Sequence, residues 1–435
     1  MGSCCKPTSI TNLDYVEYPA TVSLKIKERD KKGFNKGISY IKLALSTPRD
    51  QVDSIMDLGP YKIHAYTSII PGQDPHCEYK KECQDSSGFT SSNNIFFGVL
   101  FDGHGKEGHK VSQFCKDFML DFFIQNTEKF ENSPEGTIEE LVLRTDKELI
   151  NSGINCKFSG TTAVVVVLTP DSLFIGSLGD SRGILATLPR DGNESNATSA
   201  SSSYRNFKVS RVLKPVPLTV DQKPNHEEEL KRIRKAGGIV ERVTNDKGVP
   251  FGPYRVWRKK GNGPGLAMSR SIGDTIAHEI GVISVPVITK FGFYPSQDQF
   301  IIIASDGIWD TMDNLDAVNF VEKFRSTSSS PTDLYPATIS NSSISRLLCE
   351  EARTRWLKIV EEEDVMIDDI SCIIIELSSV EPGFPCEVQK IAERTLESRH
   401  SLTVEGYIKN TGLDPARKDI VRGSIIEVSD EELEN

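Results

Sequence analysis

Apolar residues gather in short, dense runs along the chain, and the spacing of those runs predicts its elements. Residues 96–101, 163–168, 172–178, 183–187, 300–304 and 370–377 are almost wholly apolar, the pattern of strands buried on both faces. A further strand is predicted near 63–68. Val111, Phe114, Cys115, Phe118 and Phe122 recur at helical spacing over 108–123, and Thr137-Ile138-Glu139-Glu140 reads as a capping box that opens a second helix. Asn225 stands where it would cap a helix that Ala236-Gly237-Gly238 stops, and 315–325 and 344–360 predict two more. Between 159 and 187 the runs are separated by only a few residues. That spacing predicts an antiparallel hairpin series, because parallel pairs need long crossovers.

The same pattern sets the organisation. A chain of 435 residues fits one domain of about 250–300 residues with appendages. Residues 1–35 form a polar lead-in, and 36–380 form the domain. Ser-rich surface insertions interrupt that domain near 190–206 and 326–343. Residues 381–435 form an appendage with an acidic end at 430–434. Residues 252–265, rich in Gly, Pro and Lys, read as a loop, either a covering flap or ordinary surface. Lys231, Arg232, Arg234 and Lys235 read as a solvated helix face.

Composition narrows the function. The formal charge of −11 argues against nucleic acid as a partner, so any phosphate site must be local. Nine scattered cysteines without framework spacing point to reduced thiols in the cytoplasm. His76, Cys77 and Cys83 lack a second ligand pair and make a poor zinc site. The glycosylation patterns at Asn193 and Asn341 read as chance in that compartment. No run approaches the ~20 apolar residues of a membrane-spanning helix. The start, Met1-Gly2-Ser3-Cys4-Cys5-Lys6, offers Gly2 for myristoylation and Cys4 and Cys5 for palmitoylation. Two such anchors would hold the protein on a cytoplasmic membrane face, although Lys6 stands where the pattern wants Ser or Thr.

Two core strands end alike. One runs into Asp102-Gly103-His104-Gly105, the other into Ser305-Asp306-Gly307-Ile308-Trp309-Asp310. A single Asp-Gly pair is an ordinary turn, with the carboxylate bonding its own backbone, but the repeat favours a site. If the strands at 301 and 370 are antiparallel neighbours, Asp306 comes beside Asp368. Asp102 closes its own strand, and Asp85 stands in the loop before it, near Lys80 and Lys81. Carboxylates packed so closely raise one another's pKa and need a cation or a shared proton. Oxygen donors select magnesium or manganese ahead of calcium. A structural calcium site and a two-metal hydrolase present the same acids. The glycines and His104, an imidazole able to shuttle protons, tilt the reading to catalysis.

Nine short motifs, in order, resemble the protein phosphatase 2C family of metal-dependent protein serine/threonine phosphatases. They are Gln84-Asp85, Asp102-Gly103-His104-Gly105, Ser159-Gly160-Thr161-Thr162-Ala163, Gly179-Asp180-Ser181-Arg182, Leu218-Thr219 to Pro224, Ala236-Gly237-Gly238, Ser269 to Asp274, Asp306 to Asp310 and Asp368-Asp369-Ile370-Ser371. The resemblance runs from about residue 61 to 377. It implies an α+β four-layer sandwich, two antiparallel sheets face to face with helices on both outer sides. It implies that Asp85, Asp102, Asp306 and Asp368, with the backbone oxygen of Gly103, hold two manganese or magnesium ions per subunit bridged by a water. Asp180 and Asp310 match a weaker third metal position.

The implied reaction is direct attack of that water on phosphoserine and phosphothreonine of partner proteins, without a phosphoenzyme. His104 would protonate the departing oxygen, and Lys80 or Lys81 would hold the phosphate. The protein is read as a monomer. The sequence departs from the family at three points: Gln84 replaces a common Glu, a Lys replaces a common phosphate-binding Arg, and Asp369 replaces a common Asn. The competing readings are a non-catalytic member that binds phosphoproteins or metal as a regulator, and a hydrolase of small phosphoesters.

Overall fold

The computed structural model describes residues 21–29, 35–44, 49–59, 61–73, 82–189, 212–259, 263–294, 297–328, 343–362 and 366–379. A hairpin of β1 (Thr21–Arg29) and β2 (Asn35–Ala44) precedes β3 (Arg49–Leu58), β4 (Tyr61–Ile70) and a hairpin of β5 (Asp85–Ser92) with β6 (Ile95–His104). Helices α1 (Gly108–Gln125), α2 (Thr127–Asn132) and α3 (Pro134–Asn151) follow. Then come β7 (Gly160–Thr161), β8 (Ala163–Leu168), β9 (Ser172–Leu178), β10 (Arg182–Thr187) and β11 (Lys214–Pro217). A smaller unit contains α4 (Glu227–Lys235), β12 (Ile239–Thr244), β13 (Pro250–Trp257) and β14 (Pro264–Leu266). The chain continues through β15 (Ile272–Gly273), α5 (Thr275–His278), β16 (Val287–Gly292) and β17 (Asp298–Ala304), and then α6 (Asp306–Trp309), α7 (Asn314–Ser328), α8 (Ile344–Glu362) and β18 (Ile370–Ser379).

Two antiparallel sheets carry the core. One is ordered β11-β10-β17-β18-β4-β3, and the other β15-β7-β6-β8-β9-β16 with β5 on β6. Side chains alternate across a strand, so each central strand feeds two layers. Phe96, Leu100, Val164 and Val166 meet Ile301, Ile303, Ile373 and Ile375 between the sheets. Phe97, Phe101 and Val165 pack instead against α1 and α3 through Val111, Cys115, Phe123 and Ile138. On the far side, Phe300, Ile302 and Ile374 pack against Val318, Val321, Leu348 and Ala352 of α7 and α8. Burial on both faces is why these strands are apolar at every position. The expected four-layer α+β sandwich is the observed fold.

Several local expectations are corrected. Residues 159–187 do not form one hairpin series: β8 pairs with β9, but β10 crosses to the other sheet and pairs with β11 and β17. Gly179, at φ 88°, makes the turn between them. The helix read from Thr137 begins at Pro134, whose fixed φ suits a first helical turn. Thr137 is therefore internal, and its hydroxyl donates to the carbonyls of Ser133 and Lys129 instead of forming a capping box. His226, not Asn225, precedes α4, and no side chain caps it. Residues 252–265 contribute strands. Val256 and Leu266 are drawn in by the small core of Ile233, Met268, Ile280 and Val282, which local composition does not reveal.

Arg232 also leaves its predicted solvated face. It donates to Glu229, Ser269 O and Gly281 O, and the fully buried Arg270 donates to both oxygens of Glu229. This network ties α4 to the segment leading into β15. Burial opposes charge on Glu229, but hydrogen bonds from Arg232 and Arg270 overcome it and hold the carboxyl at about 2. A depressed folded pKa stabilises above the unfolded value and is lost as pH falls through the folded one. Native stability is therefore expected to drop by about 3 kcal/mol more than that of Glu229→Gln between pH 4.5 and pH 2. Denaturant midpoints across that range test this, and identical pH dependence in the two proteins would remove Glu229 as the source.

Candidate active site

The acids singled out from sequence meet at one end of the two sheets. Asp85 is not in a loop: it is the first residue of β5 and lies opposite Asp102 of β6. Like charges placed directly opposite disfavour such a pairing, which marks the position as one not chosen for stability. Backbone bonds nevertheless pin it, Gly103 N donating to Gln84 O and Thr162 N to Asp102 O, while Asp102 N donates to Thr162 Oγ1. In the other sheet β17 and β18 are antiparallel, and Ser305 N donates to Ser371 O beyond the last paired residues. That register brings Asp306 beside Asp368, as the sequence implied.

Hydroxyls aim one of these acids. Ser305 Oγ and Ser371 Oγ donate to Asp85 Oδ2 at 2.8 and 2.7 Å, leaving Asp85 Oδ1 buried without a partner among the described residues. Asp306 Oδ1 and Asp180 Oδ1 are in the same condition. Asp369 accepts from Gly72 N at 2.6 Å and Gln84 N at 2.9 Å, one bond per carboxylate oxygen. An Asn there would offer a single acceptor, so the Asp fits this loop. Gln84 Nε2 donates to Gly105 O. Two glycines permit the close approach: a side chain at Gly103 would meet Gln84 O at 2.6 Å, and one at Gly307 would meet Asp369 O at 2.0 Å.

Electrostatics report the crowding. Burial first, then the charges of Asp369 and Asp368, push Asp85 up to about 7 against the two serine hydrogen bonds. Burial, with Asp306, Asp85 and Asp368, raises Asp102 well above the carboxylate range; burial, with Asp368, Asp180 and Asp310, does the same to Asp306. Asp102 and Asp306 lie within hydrogen-bonding distance of each other, the arrangement of acids that share a proton. No three described His, Cys, Asp or Glu side chains surround a common point as a ready cage. The donor set still suits a hard divalent ion, being all oxygen, with two buried unpartnered oxygens in Asp85 and Asp306.

His104 Nε2 donates to Asp274 Oδ2 at 2.6 Å, and Ser271 Oγ donates to the same oxygen. Burial opposes the imidazolium, but Asp274, with help from Asp180, outweighs it and raises the pKa. His104 Nδ1 is buried without a partner among the described residues. Asp274 was missed as a site residue, although it ends a motif read from the sequence. Its φ of 45° is one that Asp tolerates. Asp146 braces it from α3, accepting from Gly273 N and Ser284 Oγ.

Asp180 is buried and accepts from Lys223 Nζ at 2.6 Å, while Asp310 is exposed at the rim. Ser181 Oγ lies 2.7 Å from Thr162 Oγ1, linking the turn after β9 to the backbone of Asp102. Lys80 and Lys81 lie outside the described residues, as do His76, Cys77, Gly2, Cys4, Cys5, Asn193 and Asn341.

Comparison with known proteins places these features in a family. The model of the family described as protein phosphatase 2C matches residues 72–355. A protein of Arabidopsis thaliana described as probable protein phosphatase 2C 72 is 32% identical over 305 residues, covering 68% of this chain and 80% of that one. The plant protein described as probable protein phosphatase 2C 41 is 32% identical over 302 residues, covering 66% of this chain and 75% of its own length. In fold, the chain is similar to a serine-threonine phosphatase 2C from Toxoplasma gondii, with a TM-score of 0.55 and 19% identity over 76% of this chain and 99% of that one. The chain belongs to the protein phosphatase 2C family.

Proposed function

We propose that this protein is a metal-dependent serine/threonine phosphatase that removes phosphate from phosphoserine and phosphothreonine of partner proteins. The reading rests on one observation above others: four carboxylates from three separate segments crowd together, two of them with buried, unpartnered oxygens. Asp85, Asp102, Asp306 and Asp368, with the carbonyl of Gly103, would hold two Mn²⁺ or Mg²⁺ ions. Bound there, such ions acidify water and neutralise charge on phosphoryl oxygens.

The chain's own groups supply the rest. Ser305 and Ser371 hold Asp85 Oδ2, so that Oδ1 alone is offered to a ligand. His104, anchored through Nε2, keeps a proton on Nδ1 and gives it to the departing serine or threonine oxygen. Burial opposes that proton, but the charge of Asp274 outweighs burial and favours the protonated ring. Lys80 or Lys81 binds the phosphoryl group as a point charge.

Release of inorganic phosphate from a phosphothreonine peptide tests the proposal. Turnover is expected with Mn²⁺ and is expected to stop on chelation, whereas no turnover by the Mn²⁺-loaded chain would reject it. The working unit is proposed as a monomer on the cytoplasmic face of a membrane, held by acyl groups on Gly2 and on Cys4 or Cys5. Gly2→Ala should move the protein from the membrane to the soluble fraction, and equal membrane fractions would end the anchoring idea.

A further inference from the structure

The acids of the site fall into two halves with different counter-charges. Asp85, Asp102 and Asp306 are raised by burial and by each other's neighbours. The half containing Asp180 and Asp310 is supplied with cations by the chain itself. Lys223 Nζ donates to Asp180 Oδ2 at 2.6 Å, with the Asp180 side chain 4% exposed and Lys223 32% exposed. Burial opposes the ammonium, yet the charges of Asp180, Asp306 and Asp221 raise its pKa. The same ammonium acts to lower Asp310 against the charges of Asp180, Asp368 and Asp221. Arg182 adds a second cation, forked onto Asp221 at 3.0 and 2.7 Å and within the field of Asp310 and Asp180. Geometry fixes Lys223 in place: Gln222 N donates to Gly179 O and Ser269 N to Gln222 O, so the residue before it is bonded on both sides.

We infer that Lys223 is a tethered counter-ion for Asp180, and that a third divalent ion binds there only by displacing its ammonium. Asp180 Oδ1, buried and without a partner among the described residues, is the oxygen left for an incoming ion, while Oδ2 is already occupied. Close approach of an ammonium and a divalent ion to one carboxylate is repulsive at low local dielectric. The third position, assigned from resemblance to Asp180 and Asp310, is therefore weak because the chain fills it with its own charge. Displacement leaves Nζ in the field of Asp306, Asp221 and Asp310. The inference rests on the two-ion reading above and adds the competition at the third position.

Counting bound Mn²⁺ by electron paramagnetic resonance tests it. The native chain is expected to take up two ions tightly and a third only at far higher Mn²⁺. Lys223→Met is expected to bind the third at least about tenfold more tightly, and Lys223→Arg to behave as native. Equal third-ion affinity in native and Met chains, or three equally tight ions in the native chain, would overturn the inference. A native chain that takes up no Mn²⁺ would remove the two-ion reading and this inference together. Should Lys223→Met fail to fold, acylation of Lys223 in the native chain, followed by mass spectrometry, gives an independent readout. Labelling is expected to accelerate severalfold as the third ion enters, and constant labelling through that step would overturn the displacement.

Discussion

Asp306→Asn is expected to lose Mn²⁺-dependent phosphate release by about 10³-fold or more, and in the absence of metal to melt at a higher temperature than the native chain. Both effects have one origin. Asp306 follows β17, where burial and the charges of Asp368, Asp180 and Asp310 raise its pKa, and its carboxyl lies within hydrogen-bonding distance of Asp102. An amide of the same shape removes a repelling charge from the metal-free site and a charged oxygen donor from the metal-bound one. Mn²⁺ should therefore raise the melting temperature of the native chain much more than that of the variant. Asp102→Ala should abolish turnover in the same way. Unchanged turnover in these variants would reject the assigned site. A full Mn²⁺ stabilisation with no activity would move Asp306 from holding the ion to some other task.

Asp274→Asn is expected to slow hydrolysis of a phosphothreonine peptide by about 10²-fold, while an aryl phosphate with a good leaving group is cleaved at nearly the native rate. Asn tolerates the left-handed backbone at this position, so the test separates charge from folding. With Asp274 neutral, His104 keeps a hydrogen-bond acceptor but loses the main charge that holds its pKa up. The imidazolium then deprotonates earlier, and the alkaline limb of the peptide reaction should move to lower pH. His104→Gln should show the same dependence on leaving group. Equal losses on both substrates would argue that the pair shapes the site and does not deliver a proton.

The strands and their terminal acids were legible because the pattern that reveals them is local. An unbroken apolar run means burial on both faces; it stops at Asp306 just after β17, whereas at Asp102 the strand runs on to His104 by pairing with β7. Asp85 was misread as a loop residue because Asp85-Ser86-Ser87-Gly88 carries no apolar signal. Those residues become a strand only by pairing with β6. The helix starts were misread for a related reason: Thr137 has capping chemistry, but Pro134 upstream opens the helix and leaves Thr137 inside it. The crossing of β10 to the second sheet was equally invisible, since hairpin spacing reports turn length and not which sheet accepts the next strand.

By itself, the amino-acid order determined the apolar layers, the strands that feed them, the acids at their ends and the motif series that marks the family. Tertiary structure alone decided which hydrogen-bond donors the acids meet. Ser371 is 286 positions from Asp85, Asp274 is 170 from His104, and Lys223 is 43 from Asp180. Periodicity records whether a side chain faces core or solvent. Those three hydrogen bonds depend on strand register and on the path of the chain between sheets, which become fixed only when distant segments pack together.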